Sequence, residues 1–339
     1  MSARVSIVIV NWNGRHFLAP CLRALEAQTF RDFEIVLVDN GSEDGSLSFV
    51  KEHHPQVRVI ANDENRGFAA ANNQGIRAIE AEYVATINND TEADPNWLAE
   101  LVAVAEARPQ VGACASRMVF AGRPDMINSA GIALDRAGIA WDRQGGQAAS
   151  PADREPVTVF GACAGAALYR REMLDDVGLF DEAFFAYLED VDLAWRAQWA
   201  GWEAVYVPTA RVLHAHSGTA GEGSPFKNRL LGRNKVWLIA RNYPWPHLLW
   251  YLPAIVLYDL GSLPYTLIWR GDWGPLRGRL EGLKGLRRAI RQRKALRQRH
   301  RVESKEILAK MAPLASPGAL WRRYAHLRGH MNSSMMGES

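Results

Sequence analysis

Tyr83-Val84-Ala85-Thr86-Ile87-Asn88-Asn89-Asp90 is an apolar, β-type run that stops abruptly in two amides and a carboxylate. A buried strand of an open α/β sheet delivers its polar end to the crevice at the sheet's carboxyl edge, where such sheets bind ligands. Asp90 is therefore a candidate site residue. A blander account is that Asn88 to Thr91 only turns the chain into a helix beginning near Pro95, since Asn and Asp are ordinary turn formers. What favours chemistry is a second acidic cluster, Glu189-Asp190-Val191-Asp192, followed by His214 and His216.

Upstream, Val5 to Val10 has the composition of a fully buried strand and ends in the polar loop Asn11-Trp12-Asn13-Gly14, with a helix expected from about Phe17 to Gln28. Phe33 to Val38 repeats the pattern, ends in Asp39-Asn40-Gly41-Ser42, and leads to a helix from about Asp44 to His53. Val57 to Ala61, the loop Asn62 to Gly67 and a helix from Phe68 to Glu82 form a third unit. After the opening strand come a helix from about Pro95 to Arg108 and a strand through Val111 to Val119. This alternation predicts a Rossmann-like α/β domain, a mostly parallel sheet covered by helices on both faces. Its strand-to-helix loops open on one edge, so Asn11, Asp39, Asn65 and Asp90 are expected to face one crevice. That crevice suits a nucleotide, yet neither the Gly-x-Gly-x-x-Gly fingerprint after the first strand nor a phosphate-binding Gly-x-x-x-x-Gly-Lys-Ser/Thr loop is present. Dinucleotide oxidoreduction and P-loop hydrolysis are disfavoured.

The chain has 339 residues, 48% hydrophobic and 23% charged, enough for one large domain with an appendage. Its net charge of +3 sums an acidic-to-balanced front and a strongly basic tail. Cys21, Cys114 and Cys163 are widely separated, so neither a disulfide framework nor a thiolate zinc site is suggested, and a reducing compartment fits. The first apolar strand is too short for a signal peptide's apolar region; the protein is expected to stay on the side of the membrane where it is made.

From Ala121 to Pro156, glycines and Pro151 break up weak apolar patches, which reads as an irregular insertion. Val157 to Arg170 is strand-like and rich in small residues, including Gly161, Ala162 and Gly165. Small side chains allow close approach to a ligand, or equally tight packing against a helix. The helix that starts at Glu189 is expected to end near Gly201, with Asp192 and Arg196 paired along one face and Val191, Trp195 and Trp199 on an apolar stripe. Acidic residues in a first turn also complement the helix dipole, which does not explain the aromatics crowded just before them. A strand over Ala204 to Val207 and an apolar stretch over Ala210 to Leu213 then carry His214.

Taken together, these residues resemble the inverting nucleotide-sugar glycosyltransferases of family 2, which have the GT-A fold. The resemblance covers about Val5 to Trp245 and rests on Val5 to Asn13, Val38-Asp39-Asn40-Gly41-Ser42, Asn65-x-Gly67-Phe68-Ala69-x-Ala71-Asn72-Asn73-x-Gly75, Asn88-Asn89-Asp90, Glu189-Asp190-x-Asp192-Leu193-x-Trp195-Arg196 and His214-x-x-Ser217-Gly218. The branch it looks most like holds bacterial rhamnosyltransferases and galactofuranosyltransferases of cell-envelope polysaccharide assembly. The resemblance implies that Asp39 binds the donor's base and ribose, with Asn11, Asn65, Asn73, Asn88 and Asn89 around the donor. Asp90 and His214 would hold a divalent metal, Mn²⁺ or Mg²⁺, against the donor diphosphate. Asp190 would be the general base, with Glu189 and Asp192 orienting base and acceptor. Gly161, Ala162, Tyr187 and Trp195 would line the acceptor side. One departure matters: Asn88 stands where the family's Asp-x-Asp pattern has its first acid, so metal affinity should fall unless His214 compensates.

Phe226 to Tyr243 reads as a basic helix, followed by an unusually apolar stretch from His247 to Trp269 and by a segment dense in arginine and lysine from Arg277 to Arg301, with Leu280, Leu283, Leu286 and Ile290 on one stripe. About 20 residues span a bilayer, but Asp259, Pro253, Pro264 and basic blocks on both sides argue against a simple span. A re-entrant or in-plane hairpin on the cytoplasmic face of an anionic membrane is expected instead, docking the crevice over a lipid-linked acceptor such as a polyprenyl-diphosphate glycan. Nucleic acid is a weaker partner, because basic charge alone is nonspecific. The expected organisation is a catalytic domain over residues 1–224, a helical membrane-associating region over 225–330 and a disordered tail over 331–339. The expected donor is a dTDP- or UDP-linked deoxyhexose, such as rhamnose, or a furanose. Two other classes compete: a silent nucleotide-sugar-binding scaffold, encouraged by Asn88, and a metal-dependent phosphoesterase, for which the ligands are too few.

Overall fold

The computed structural model describes residues 3–150, 152–215, 224–316 and 318. The front of the chain runs β1 (Val5–Asn11), α1 (Arg15–Glu26), β2 (Phe33–Asp39), α2 (Ser46–His53), β3 (Arg58–Ala61), α3 (Phe68–Arg77), β4 (Tyr83–Asn88), β5 (Thr91–Ala93) and α4 (Trp97–Ala107). There follow β6 (Val111–Phe120), β7 (Arg123–Ser129), β8 (Ile132–Leu134), β9 (Ala140–Asp142), β10 (Val157–Val159), β11 (Ala166–Arg170), α5 (Arg171–Val177), α6 (Glu189–Trp199) and β12 (Glu203–His214). The remainder is helical: α7 (Pro225–Asn242), α8 (His247–Gly261), α9 (Gly274–Lys284), α10 (Leu286–Leu296) and α11 (Ser304–Lys310).

Period-two alternation along the strands decides which helix lies on which face. Ile7 and Ile9 of β1, Leu37 of β2 and Ile87 of β4 pack against Leu18 and Leu22 of α1 and Trp97 and Leu101 of α4. Val8, Val36 and Val84 turn the other way, onto Ala71 and Ile76 of α3, Leu174 of α5 and Leu193 of α6. Burying each such side chain contributes about 1.5–3 kcal/mol, so the sheet is clamped from both sides. The opposite stripe of α6, with Val191, Trp195 and Trp199, forms a separate cluster with Leu238 and Tyr243 at α7 and Ile255 of α8.

The main sheet has the order β10-β12-β6-β11-β4-β1-β2-β3. β1 has parallel neighbours β2 and β4 on its two sides, so the topology reverses there and opens a crevice at the strands' carboxyl ends. The sheet is mostly parallel as expected, with β11 wedged antiparallel between β4 and β6 and the short strands β5, β7 and β10 also paired antiparallel. The stretch expected to be irregular, Ala121 to Pro156, is instead built from β7, which pairs with β6, and the β8–β9 hairpin. Its glycines serve turns, and do not break the strands. Likewise the stretches expected separately over Ala204 to Val207 and Ala210 to Leu213 are one strand, β12, with an irregularity between Val207 and Arg211.

Candidate active site

β1, β2 and β4 end side by side, with Asn11 opposite Asp39 and Val10 opposite Asn88. The fully buried Asp39 carboxylate accepts from Asn11 Nδ2 at 2.9 Å and from the Ser42 backbone N–H at 2.8 Å. Asn89 Nδ2 donates to Asn11 Oδ1 at 2.7 Å, and Asn40 Nδ2 reaches Asn65 Oδ1 at 3.3 Å. Sequence-distant polar residues thus share one linked rim. Gly14 is required for it: a Cβ there would sit 2.1 Å from Asn89 Nδ2 and 2.8 Å from Asn11 Oδ1. Asn73 stands apart. It is buried on α3, donating to Phe180 O at 2.8 Å and Glu182 Oε1 at 3.0 Å while accepting from Phe180 N at 3.1 Å. Its amide fixes the loop after α5 and does not face a donor.

Asp90 follows β4, and His214 closes β12, which pairs with β5 through His214 and Thr91. The two side chains meet with His214 Nε2 3.2 Å from Asp90 Oδ1. His214 Nδ1 lies 2.9 Å from Asn128 Oδ1, an oxygen that can only accept, so Nδ1 carries the proton and, in the neutral ring, Nε2 presents a lone pair toward Asp90. Octahedral ligands at about 2.1 Å stand about 3 Å apart, so this pair has the separation of two ligands of one divalent cation. Among the described residues no group of three or more His, Cys, Asp and Glu side chains could hold a metal. The pair fits a site completed by oxygens of a diphosphate and water. Asn88 presses its amide against Gly165, where a Cβ would lie 3.2 Å from Asn88 Nδ2.

Asp190 lies in the first turn of α6, where Oδ1 accepts from the Val191 N–H at 2.8 Å and Oδ2 from the Ala164 N–H at 3.3 Å. The neighbouring Gly165 carbonyl accepts from Asn88 N at 2.9 Å, so Asp190 stands one peptide step from the strand end that leads to Asp90. Burial raises the Asp190 carboxyl from 3.8 to about 6, the Ala164 N–H opposes the rise, and the Asp142 carboxylate adds to it. Glu189 is buried, and burial together with Asp190 pushes it well above the usual carboxylate range. A neutral carboxyl therefore sits beside one poised to accept a proton near neutrality.

Three other expectations fail on packing. Asp192 is fully buried and accepts from Arg196 Nε at 2.9 Å, Arg241 Nη2 at 2.8 Å and Asn242 Nδ2 at 2.8 Å, so it is a structural anchor and not part of the catalytic surface. Trp195 is fully buried edge-on to Phe160, which removes it from the acceptor side. Gly161 and Ala162 are buried too, and a Cβ at Gly161 would lie 2.3 Å from the Ala194 Cβ, so these small residues serve helix packing. Tyr187 is half-buried, with Lys227 Nζ 5.3 Å from the centre of its ring. His216, Ser217, Gly218 and the tail from Met331 lie outside the described residues. The sequence reading missed Asn128, hidden in the supposed irregular insertion, and Asn234, an amide inside a helix; β7 buries Met126 to Ser129 consecutively, so no alternation marked the first.

Residues 6–178 match the family described as glycosyl transferase family 2. Among curated proteins, the chain is similar to the N-acetylglucosaminyl-diphospho-decaprenol L-rhamnosyltransferase of Mycobacterium tuberculosis, 30% identical over 245 residues that cover 64% of this chain and 78% of that protein. It is also similar to the O-antigen biosynthesis protein RfbC of Myxococcus xanthus, 30% identical over 230 residues covering 64% of this chain and 18% of that one. Among solved structures, GalNAc-T7 with UDP, GalNAc and Mn²⁺ superposes with a TM-score of 0.59 at 19% identity, over 86% of this chain and 57% of that one. At that identity the likeness concerns the fold.

Proposed function

The chain belongs to glycosyl transferase family 2, a glycosyltransferase with a GT-A-like sheet, and from that premise we propose that it moves a sugar from a nucleoside diphosphate to a lipid-linked glycan with inversion at the anomeric carbon. The observation that carries the proposal is the Asp190 carboxyl, raised to about 6 and hydrogen-bonded at the same crevice edge to which β4 delivers Asp90. Asp190 takes the proton of the acceptor hydroxyl as its oxygen bonds to the anomeric carbon. The bond to the diphosphate oxygen breaks on the opposite face, and its electron pair leaves with the nucleotide. Asn65, Asn88 and Asn89 border the nucleoside and sugar, on a rim that the buried Asp39–Asn11 pair holds in place. When bound, a divalent cation held by Asp90 and His214 supplies charge neutralisation to the leaving diphosphate. The M. tuberculosis relative's name supports L-rhamnose as the donor sugar and a diphospho-polyprenol-linked N-acetylglucosamine as the acceptor.

The test is nucleotide release from a panel of dTDP- and UDP-sugars, with and without a synthetic polyprenyl-diphosphate N-acetylglucosamine and with Mn²⁺ titrated. Release is expected only with acceptor present, the product having the inverted anomer. His214→Ala is expected to raise the Mn²⁺ concentration for half-maximal rate by at least about tenfold, as loss of a metal ligand does. Equal release without acceptor would instead indicate a phosphoesterase, and no turnover with any donor a silent scaffold.

The helical extension supports docking at a membrane. His247–Trp269, 23 residues, is long and apolar enough to cross a bilayer, but only 11% of its most apolar window is buried in the protein. Asp259, within it, turns inward onto Arg279 at 2.6 Å and Lys235 at 3.2 Å, so the C-terminal end of α8 is tied to α7 and α9 through one carboxylate. Trp250 (82%), Leu257 (70%), Ile268 (77%) and Trp269 (81%) face outward, with Leu280, Leu283 and Ile290 of the neighbouring basic helices. An apolar face bordered by arginines is the composition of an in-plane anchor on anionic lipid. Trp250→Ser with Trp269→Ser is expected to cut co-sedimentation with phosphatidylglycerol vesicles at least about tenfold, leaving turnover of a water-soluble acceptor unchanged. Equal sedimentation of the two proteins sinks the anchor.

A further inference from the structure

The loop that delivers Asp190 is held in an unfavourable shape. Phe185, Tyr187 and Leu188 have φ of 65°, 69° and 67°, a region that residues with a Cβ avoid. Leu188 carries ψ of 3°, fully left-handed, and its carbonyl accepts the first bond of α6 from Asp192 N at 3.0 Å. The direction of α6, and so of Asp190 in its first turn, depends on this conformation. Such backbone persists only where the surroundings over-determine it.

Ala69 N donates to the Phe185 carbonyl at 3.1 Å, but most of the hydrogen bonds that hold the turn come from α7. Asn234, fully buried in the middle of α7, directs Nδ2 at the carbonyls of Phe184 (3.0 Å), Ala186 (2.9 Å) and Tyr187 (2.8 Å). The adjacent Arg233 adds Nη2 bonds to Ala183 O at 3.1 Å and Phe184 O at 2.8 Å. We infer that Asn234 is a positioning residue for the catalytic base: it fastens the left-handed 184–188 turn to the helical extension and thereby sets where the Asp190 carboxylate meets the acceptor hydroxyl. The inference rests on Asp190 being the base. It makes α7 part of the catalytic apparatus.

The test compares Asn234→Leu, close in size but without donors, Asn234→Ser, which keeps one donor, and the double variant Asn234→Leu with Leu188→Gly, in which a residue without a Cβ accepts the left-handed backbone unaided. With full-length protein and the assay above, Asn234→Leu is expected to lower kcat about a hundredfold with donor KM unchanged, and to speed hydrogen exchange of residues 183–190 and not of the central strands. Asn234→Ser is expected to fall between it and the wild type, and Leu188→Gly to restore kcat about tenfold. Should Asn234→Leu not fold, the Ser variant and Leu188→Gly in that background are read instead. A wild-type kcat in whichever variant is read, or a loss that Leu188→Gly does not recover, overturns the inference. Asp190→Asn is measured alongside: its inactivity with a fully active Asn234→Leu condemns the clamp alone, whereas an active Asp190→Asn condemns the base and the clamp together.

Discussion

Asp190→Asn is expected to lower kcat by about 10²–10⁴, the usual worth of a general base, with donor affinity retained, and at the same time to make the protein more stable at neutral pH. Both effects come from the same burial. The carboxyl titrates near 6 in the folded protein and near 3.8 when free. The folded state therefore holds a proton that the unfolded chain has already lost between these values, and stability falls as pH rises from about 4 through about 6. Above that window the ionised base is a standing cost. At 1.36 kcal/mol per unit the ceiling is about 3 kcal/mol, and at a half-buried rim position about 1–2 kcal/mol is expected. The amide has the shape but no charge to desolvate, so the variant should gain that much in urea unfolding at pH 8 and nothing at pH 4. In the wild type, kcat should rise with pH through about 6 and then level off. Turnover within a few-fold of wild type in Asp190→Asn, or a flat pH profile between 5 and 8, would falsify the assignment.

How far the sequence could be read depended on whether a residue's fate was set by its neighbours in the chain or by something folded against it from far away. The run from Tyr83 to Asp90 carries its own instructions: apolar residues that need a covered sheet, then polar ones that need its edge. The same holds for β1 and β2, and so Asn11, Asp39 and Asn89 meet where the topology required. β11 carried no readable direction, because five residues, Ala166–Arg170, pair equally well either way along β4 until the preceding insertion fixes the end from which they enter. Gly161 and Ala162 illustrate a deeper ambiguity. A small side chain marks a close approach but not of what, and here it is Ala194. Glu189, Asp190 and Asp192 share one helical turn and one charge sign, so no local pattern could rank them. Their separation comes from Arg241 and Asn242 of α7, which claim Asp192 and leave Asp190 at the rim.

That division yields the largest stability effect expected of any single substitution here, at Asp192 and not at the base. Asp192 is fully buried between two guanidinium groups and an amide, and Arg196 is committed further, to the carbonyls of Val177 at 2.6 Å, Gly178 at 2.8 Å and Leu179 at 2.8 Å. Asp192→Ala removes the one carboxylate that pairs with Arg196 among the described residues, and burial already disfavours that charge. Arg241 fares better, because its other partner, Asp181, remains. Breaking one side of a buried ion pair costs about 3–5 kcal/mol, since the remaining charge has neither water nor counter-ion. Asp192→Asn keeps one acceptor oxygen and should lose less. If the network is an anchor, the Asn variant, corrected for folded fraction, should turn over within a few-fold of wild type, in contrast to Asp190→Asn. The Arg241→Met substitution should cost less in the Asp192→Ala background than in the wild type, because much of its penalty in the latter is a stranded Asp192 carboxylate. Additive costs, or an Asp192→Ala urea midpoint indistinguishable from wild type, would mean that α6 is held by its apolar stripe on Leu238 and Tyr243 alone, and that the charges between it and α7 are incidental to where the base stands.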